Sequence, residues 1–323
     1  MWKNLPLFPE RASALAWQVD GLYFLLVAVS AFFTLAIFLV ILVFAVKYRR
    51  SAHPHPVPIE GSLALELAWT LIPLGMCMVF FAWGSLIYFQ EARPPQGAME
   101  IYTVGKQWMW KFQHETGQRE INQLHLPVNA DVRMIMSSQD VIHDFFVPAF
   151  RIKQDVLPGR FTETWFHTTK VGTYHLFCSQ YCGTDHSAMI GQVIVMEPTA
   201  YQAWLASGGG TGSLAANGQQ LFSQLGCGTC HRFDTQGRGP NLAGLYNKKV
   251  MLDDGRTVVA DENYLRESIL NPGVKIVAGF KPIMPSYQGQ VSEESLMALV
   301  AYIKSLSQPQ PNQAAAIPAP AAQ

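Results

Sequence analysis

Cys178-Ser-Gln180-Tyr-Cys182-Gly-Thr-Asp-His186-Ser-Ala-Met189 brings two thiols, an imidazole and a thioether into twelve residues. Thiolate and thioether donors select copper among the common metals, and imidazole suits it too. The cluster contains Gly183 and lies between runs of strand character, so it reads as a loop joining two strands. A mononuclear blue-copper site on a β-sandwich needs one Cys, two His and one Met. This stretch has one thiol too many, and two thiolates so close in sequence can bridge two metals, which points to a dinuclear centre. A further strong ligand has to come from a distant strand end, and His143 in Val141-Ile-His-Asp-Phe is the candidate. In an oxidising compartment a Cys178–Cys182 disulfide is an alternative, as is a zinc site of two Cys and two His. A disulfide leaves His186 and Met189 without a purpose, and zinc has no use for the methionine.

Outward from this loop the texture stays that of short strands. Glu100 to Val104, Val132 to Met136, Phe161 to Trp165 and Gln192 to Val195 are separated by Thr116-Gly117, Leu157-Pro158-Gly159 and Val171-Gly172, the pattern of a β-sandwich or small barrel. Upstream the pattern changes. Gly21 to Val46 and Leu67 to Phe89 contain no Asp, Glu, Lys or Arg, in a chain whose charged fraction is already only 14%. Each run is long enough to cross about 30 Å of hydrocarbon as a helix, and the first is too long for a signal-peptide core. Pro73 inside the second is tolerable in a membrane. Lys47, Arg49 and Arg50 follow the first run directly, so the short loop to Leu63 belongs in the cytoplasm and both termini outside. Zero net charge over 323 residues, with no basic stretch, excludes nucleic acid as a partner.

Downstream, Ser207-Gly-Gly-Gly-Thr-Gly-Ser213 is flexible by composition, and a third module follows. Its helical stretches fall near 215–225, 263–270 and 292–305, the last with a capped start at Ser292. Cys227-Gly-Thr-Cys230-His231 is the pattern of covalent c-type haem attachment, in which two thiols hold the haem and the His is one axial ligand. His paired with Met is the axial set of electron-transfer cytochromes. Met251 lies in a polar stretch and Met297 in the last helix, where core packing is expected; Met284, flanked by Pro282 and Pro285, is the candidate. Residues 309–323, rich in Pro, Ala and Gln, read as a disordered tail. The divisions are therefore 1–95, 96–205, 206–213, 214–308 and 309–323.

At this point a family resemblance becomes specific. The 178–189 loop resembles the copper loop of cytochrome c oxidase subunit II, C-x-E-x-C-G-x-x-H-x-x-M. The aromatic stretch Gly105-Lys-Gln-Trp108-Met-Trp110-Lys-Phe112, the segments Val141-Ile-His143, Val147-Pro148-Ala-Phe and Pro158-Gly159-Arg160, and Glu66-Leu-Ala-Trp69-Thr70-Leu-Ile-Pro73 resemble it as well. The likeness runs from residue 15 to about 205, while 213–308 resembles a class I cytochrome c, so the whole is similar to subunit II of the caa-type oxidases. The resemblance implies a multidomain chain: a two-helix transmembrane hairpin, an all-β cupredoxin-like sandwich and an all-α class I cytochrome c domain. It implies a CuA centre of two copper ions bridged by Cys178 and Cys182. His143 and Met189 would complete one copper, His186 and the Gln180 carbonyl the other. It gives Trp108 as the point of electron input and Glu66 as the mouth of a proton-uptake channel, and a covalent haem c on Cys227 and Cys230 with His231 and Met284 as axial ligands. Subunit I and other oxidase subunits, a cytochrome c or another donor, and membrane lipid are the implied partners. The implied location is a bacterial inner membrane, with both redox domains on the periplasmic side. Gln180 departs from the family's Glu, which puts a magnesium contact with subunit I in question. A related nitric oxide reductase subunit is the alternative; a copper-delivery protein would have no use for the haem module, and quinol-oxidase relatives lack the copper ligands. Cys77, inside the second apolar run, is expected to serve packing.

Overall fold

The computed structural model describes residues 8–55, 60–207, 213–233 and 237–307. The two charge-free runs form α1 (Ala16–Lys47) and α2 (Leu63–Glu91), long and apolar enough to cross a membrane. Both present large apolar side chains outward along their length, as a surface bathed in lipid requires. Gly21 lies against the Trp83 ring and Gly84 against Leu22, where the pair touch. Asp20 roots the hairpin in the following domain. Its carboxylate is buried and accepts from Arg151 Nε and Nη2 at 2.7 and 3.0 Å, while the Trp165 indole donates to the Gln90 carbonyl at 2.9 Å.

The second region is a cupredoxin-like sandwich of two five-stranded sheets. The first sheet is ordered β3 (Arg119–Ile121), β2 (Met109–His114), β1 (Met99–Lys106), β5 (Asp131–Ser138), β8 (Thr162–His167). The second is ordered β4 (Gln123–Pro127), β10 (Ile190–Met196), β9 (Gly172–Cys178), β6 (His143–Val147), β7 (Ile152–Val156). Successive side chains on a strand face opposite ways. On β5, accordingly, Val132, Met134 and Met136 join Trp110, Phe112, Phe145 and Val193 in the core between the sheets. Strands β6 and β9 are hydrogen-bonded neighbours that pair Phe145 with Cys178, so the end of β9 is brought beside the start of β6.

A helix that the sequence reading did not anticipate, α3 (Pro198–Ser207), follows β10 and runs into the start of the expected linker; residues 208–212 of that linker and the 309–323 tail lie outside the described residues. Tyr201 on α3 is buried and bonds His114 across 3.0 Å, and Trp204 stacks on His125 at 4.7 Å. Both imidazoles bond the Glu120 carboxylate. Burial pushes that carboxyl up, but hydrogen bonds from His114 and from the His125 backbone and ring outweigh it and hold it below the ordinary carboxylate range. A carboxyl depressed in the folded state contributes stability above its unfolded pKa and loses that contribution as pH falls through the folded one. Glu120→Gln is expected to cost ~1–3 kcal/mol at neutral pH, and the difference from the parent should shrink below about pH 4 in denaturant melts.

The third region packs α4 (Leu214–Gln224), α5 (Glu262–Leu270) and α6 (Glu293–Ser305), with a short hairpin, β11 (Lys249–Met251) and β12 (Thr257–Val259), as an addition to the expected all-helical module. Ser213, Asp261 and Ser292 cap the three helices through their side-chain oxygens. Helices α4 and α6 cross at Gly218, where an added Cβ would lie 1.9 Å from the Ala298 carbonyl oxygen. Gly218→Ala therefore forces two backbones apart and is expected to destabilise the module by at least ~1–3 kcal/mol in thermal melts.

Candidate metal centre and haem pocket

The copper loop begins where β9 ends and closes where β10 begins, with His143 arriving from β6. The Sγ atoms of Cys178 and Cys182 lie 3.7 Å apart and form no disulfide. Cys178 Sγ is 3.9 Å from His143 Nδ1 and 3.2 Å from the Gln180 carbonyl oxygen. Cys182 Sγ is 3.4 Å from His186 Nδ1 and 3.8 Å from Met189 Sδ. Every residue that the sequence places at the copper is thus at one spot, with Cys178, Cys182, His143 and Met189 buried and His186 half-buried. His143 Nε2 is 2.8 Å from Asp140 Oδ1. A carboxylate only accepts, so that nitrogen carries the proton and Nδ1 is left as a ligand atom, as metal-bound histidines require.

Burial works against a thiolate at Cys178, but the neighbouring His143 imidazole and hydrogen bonds with the local backbone outweigh it and pull Cys178 below the ordinary thiol range. Burial and the neighbouring Cys178 push Cys182 above that range. The two sulfurs therefore ionise one after the other, and bound cations would be needed to hold both as thiolates at neutral pH. A soft, buried donor set with a preset imidazole tautomer fits copper.

Three contributors were not legible from the loop itself. Asp140 also accepts from the Gln107 backbone N–H at 2.8 Å, and Gln107 Nε2 and Trp108 Nε1 both donate to the Cys182 carbonyl, at 2.8 and 3.2 Å. The half-buried Trp108 is thereby held against the copper loop. Gly183 permits this approach: its φ is +117°, and a Cβ there would meet Gln107 Nε2 at 2.8 Å. Trp108 was signalled by its aromatic stretch and Asp140 only by being a carboxylate three residues before His143; Gln107 carried no signal.

In the third module, a cavity of ≈ 370 Å³ is lined mainly by apolar side chains and includes Cys227, Cys230, His231 and Met284. Met251 stands exposed on β11, and Met297 is packed in the core of α6. His231 Nδ1 donates to the Pro240 carbonyl at 2.8 Å, which leaves Nε2 free as an axial donor. Gly239 makes room for the ring, since a Cβ there would fall 2.8 Å from His231 Cε1. The lining and the free imidazole nitrogen fit a haem held by two thioether links. Glu66 is far from both sites in sequence, exposed in the first turn of α2, and Cys77 is exposed on the same helix rather than packed within the chain.

Three family models match the chain. The transmembrane domain of cytochrome C oxidase subunit II matches residues 1–87, its periplasmic domain 119–197, and cytochrome c 215–307. Trp108 lies between the first two matches. Cytochrome c oxidase subunit 2 of Alkalihalophilus pseudofirmus is 28% identical over 320 residues, covering 94% of this chain and 91% of the relative. That of Thermostichus vulcanus is 32% identical over 254 residues, covering 61% and 77%. Among solved structures, the periplasmic domain of subunit II of cytochrome oxidase of Bradyrhizobium japonicum is 32% identical, spans 36% of this chain and 96% of its own, and superposes with a TM-score of 0.35.

Proposed function

The chain belongs to the cytochrome c oxidase subunit II family, and on that premise we propose that it is the electron-input subunit of a proton-pumping haem–copper terminal oxidase. Its haem module takes electrons from a respiratory donor, a cytochrome c or another carrier. The copper domain hands them to haem a of subunit I, where oxygen is reduced to water. The observation that carries this reading is the meeting of Cys178, Cys182, His143, His186 and Met189 at one end of the sandwich.

Cys178 and Cys182, together with His143, Met189, His186 and the Gln180 carbonyl, would hold the two coppers. Cys227 and Cys230 would attach haem c, and His231 and Met284 would supply its iron ligands. When bound, the copper pair and the haem each supply a reversible one-electron couple. The protein's own part is to hold their ligands still. Asp140 fixes the His143 ring, the Pro240 carbonyl fixes His231, and the Gln107–Trp108 clamp fixes the Cys182 carbonyl. Trp108, in that clamp, is suited to electron input. Around the loop, Val141, Ile142 and Tyr181 expose apolar side chains, a surface suited to a partner subunit. Glu66 at the start of α2 would serve as the proton-channel mouth beside subunit I. The apolar hairpin supports a location in a bacterial inner membrane, with both redox domains on the periplasmic side and lipid and the other oxidase subunits as neighbours.

The test is electron paramagnetic resonance and visible spectroscopy of the oxidised full-length chain, loaded with copper and matured with haem. Two coppers and one haem per chain, with a seven-line copper hyperfine pattern from one electron shared by two nuclei, are expected. A four-line pattern, or zinc with no copper signal, would overturn the dinuclear centre.

A further inference from the structure

The outer face of the first sheet is not that of a sheet exposed to water. On β1 and β5 the residues alternating with the core include Tyr102, Val104 and Ile135, and with Phe161 they are buried in one apolar cluster with Leu214, Met297 and Ala298 of the haem module. Charged groups ring this floor, and they alternate between domains. Lys304 on α6 bonds Glu100 of β1 at 2.6 Å and Glu262 of its own module at 2.9 Å. Arg133 of β5 reaches Glu100 at 2.8 Å, Glu163 at 2.7 Å and, across the boundary, Glu262 at 3.2 Å. A second group lies at the other end of α6. Ser137 donates to Glu293 at 3.0 Å, Glu293 is paired with Arg266, and Lys111 meets Glu294 at 2.7 Å. Asn263 Oδ1 accepts from the Phe161 backbone N–H at 2.8 Å, and the Arg266 guanidinium lies 5.0 Å above the Phe161 ring.

The linker points the same way. On its near side the Leu205 carbonyl accepts from Gln118, and on its far side Leu214 N donates to the Glu115 carbonyl at 3.1 Å. Both ends are pinned to one turn, between β2 and β3, so the chain leaves and returns at the same place.

We infer that the haem module works from a fixed dock on the outer face of β1, β5 and β8, with Lys304 and Glu293 of α6 as its two anchors, instead of swinging on its linker. The dock closes that face to any other protein, and an external donor therefore meets the haem module on its remaining surface. Helix α6 joins the two sites: Leu299 and Ile303 line the haem cavity, while Glu293 bonds the end of β5, three residues before Asp140, the partner of His143. Partly buried pairs of this kind are screened by salt much less than a loose electrostatic encounter between exposed charges.

This functional meaning rests on the reading above, but the dock can be tested apart from it. A protease site inserted between Gly209 and Gly210 of the full-length, detergent-solubilised chain would be cleaved after folding. Size-exclusion chromatography would follow haem absorbance and a C-terminal peptide tag. At physiological ionic strength the cut haem module is expected to co-elute with the membrane part. Lys304→Met and Glu293→Gln are each expected to weaken that retention by tenfold or more while leaving the haem spectrum unchanged. A haem-bearing fragment that elutes alone from the parent protein at low ionic strength would overturn the dock. A tagged fragment that co-elutes without haem would sustain the dock and count instead against the haem reading.

Discussion

Cys182→Ser is expected to convert the copper centre from a dinuclear to at most a mononuclear site. The parent geometry places Cys182 Sγ between its partners, 3.7 Å from Cys178 Sγ, 3.4 Å from His186 Nδ1 and 3.8 Å from Met189 Sδ. Serine keeps the shape but offers a hydroxyl that stays protonated at neutral pH and is a hard donor, poorly matched to copper. Cys178 with His143 then remains as a half-site. The measurable outcome is a fall in bound copper from two per chain to one or none, together with loss of the seven-line hyperfine pattern. Oxidase turnover driven through this chain should be lost with it. Asp140→Asn offers a graded contrast. It leaves every ligand in place but removes the carboxylate that holds the His143 tautomer, and its expected cost is ~10–100-fold in copper affinity with the dinuclear signature retained. A Cys182→Ser protein that kept two coppers and seven lines would show that Cys182 is not a bridge.

How far the sequence could be read follows from the range of each signal. The two membrane helices were legible because length and missing charge are properties of a continuous run, and α1 and α2 span the runs read. The copper loop was legible because four soft donors fall within twelve residues. Met284 could be singled out because prolines set it in a loop, and it does line the same cavity as His231. What stayed hidden depends on partners distant along the chain. Trp108 and Cys182 meet across 74 residues, Arg151 and Asp20 across 131, and Lys304 and Glu100 across 204. No periodicity announces such pairs. The docked haem module is the main instance: a Gly-rich linker reads as a free tether, and only the tertiary arrangement reveals that its two ends are held at one turn. Helix α3 was missed for a related reason. Its stability comes from Tyr201 and Trp204 packing on His114 and His125, not from a strong helical pattern of its own.

Met284→Leu is expected to leave haem attached yet lower its reduction potential sharply. The proposed attachment points, Cys227 and Cys230, are untouched by the substitution, and His231 keeps its bond to the Pro240 carbonyl. Leucine fills a similar volume, so the apolar cavity should stay closed and the module folded, at a cost below ~1.5 kcal/mol. What disappears is the thioether, the donor that favours reduced iron, and axial ligation is the lever that spreads haem potentials over about 0.8 V. Without that donor the haem should gain reactivity toward small ligands such as carbon monoxide. Spectroelectrochemical titration and carbon monoxide difference spectra measure both effects. Two controls separate ligation from packing. Met251→Leu alters a methionine that is 61% exposed on β11 and should change neither readout. Met297→Leu repacks a methionine that is 1% exposed on α6 and should lower thermal stability without moving the potential. If Met251→Leu or Met297→Leu shifted the potential and Met284→Leu did not, the axial assignment would pass to the residue that did.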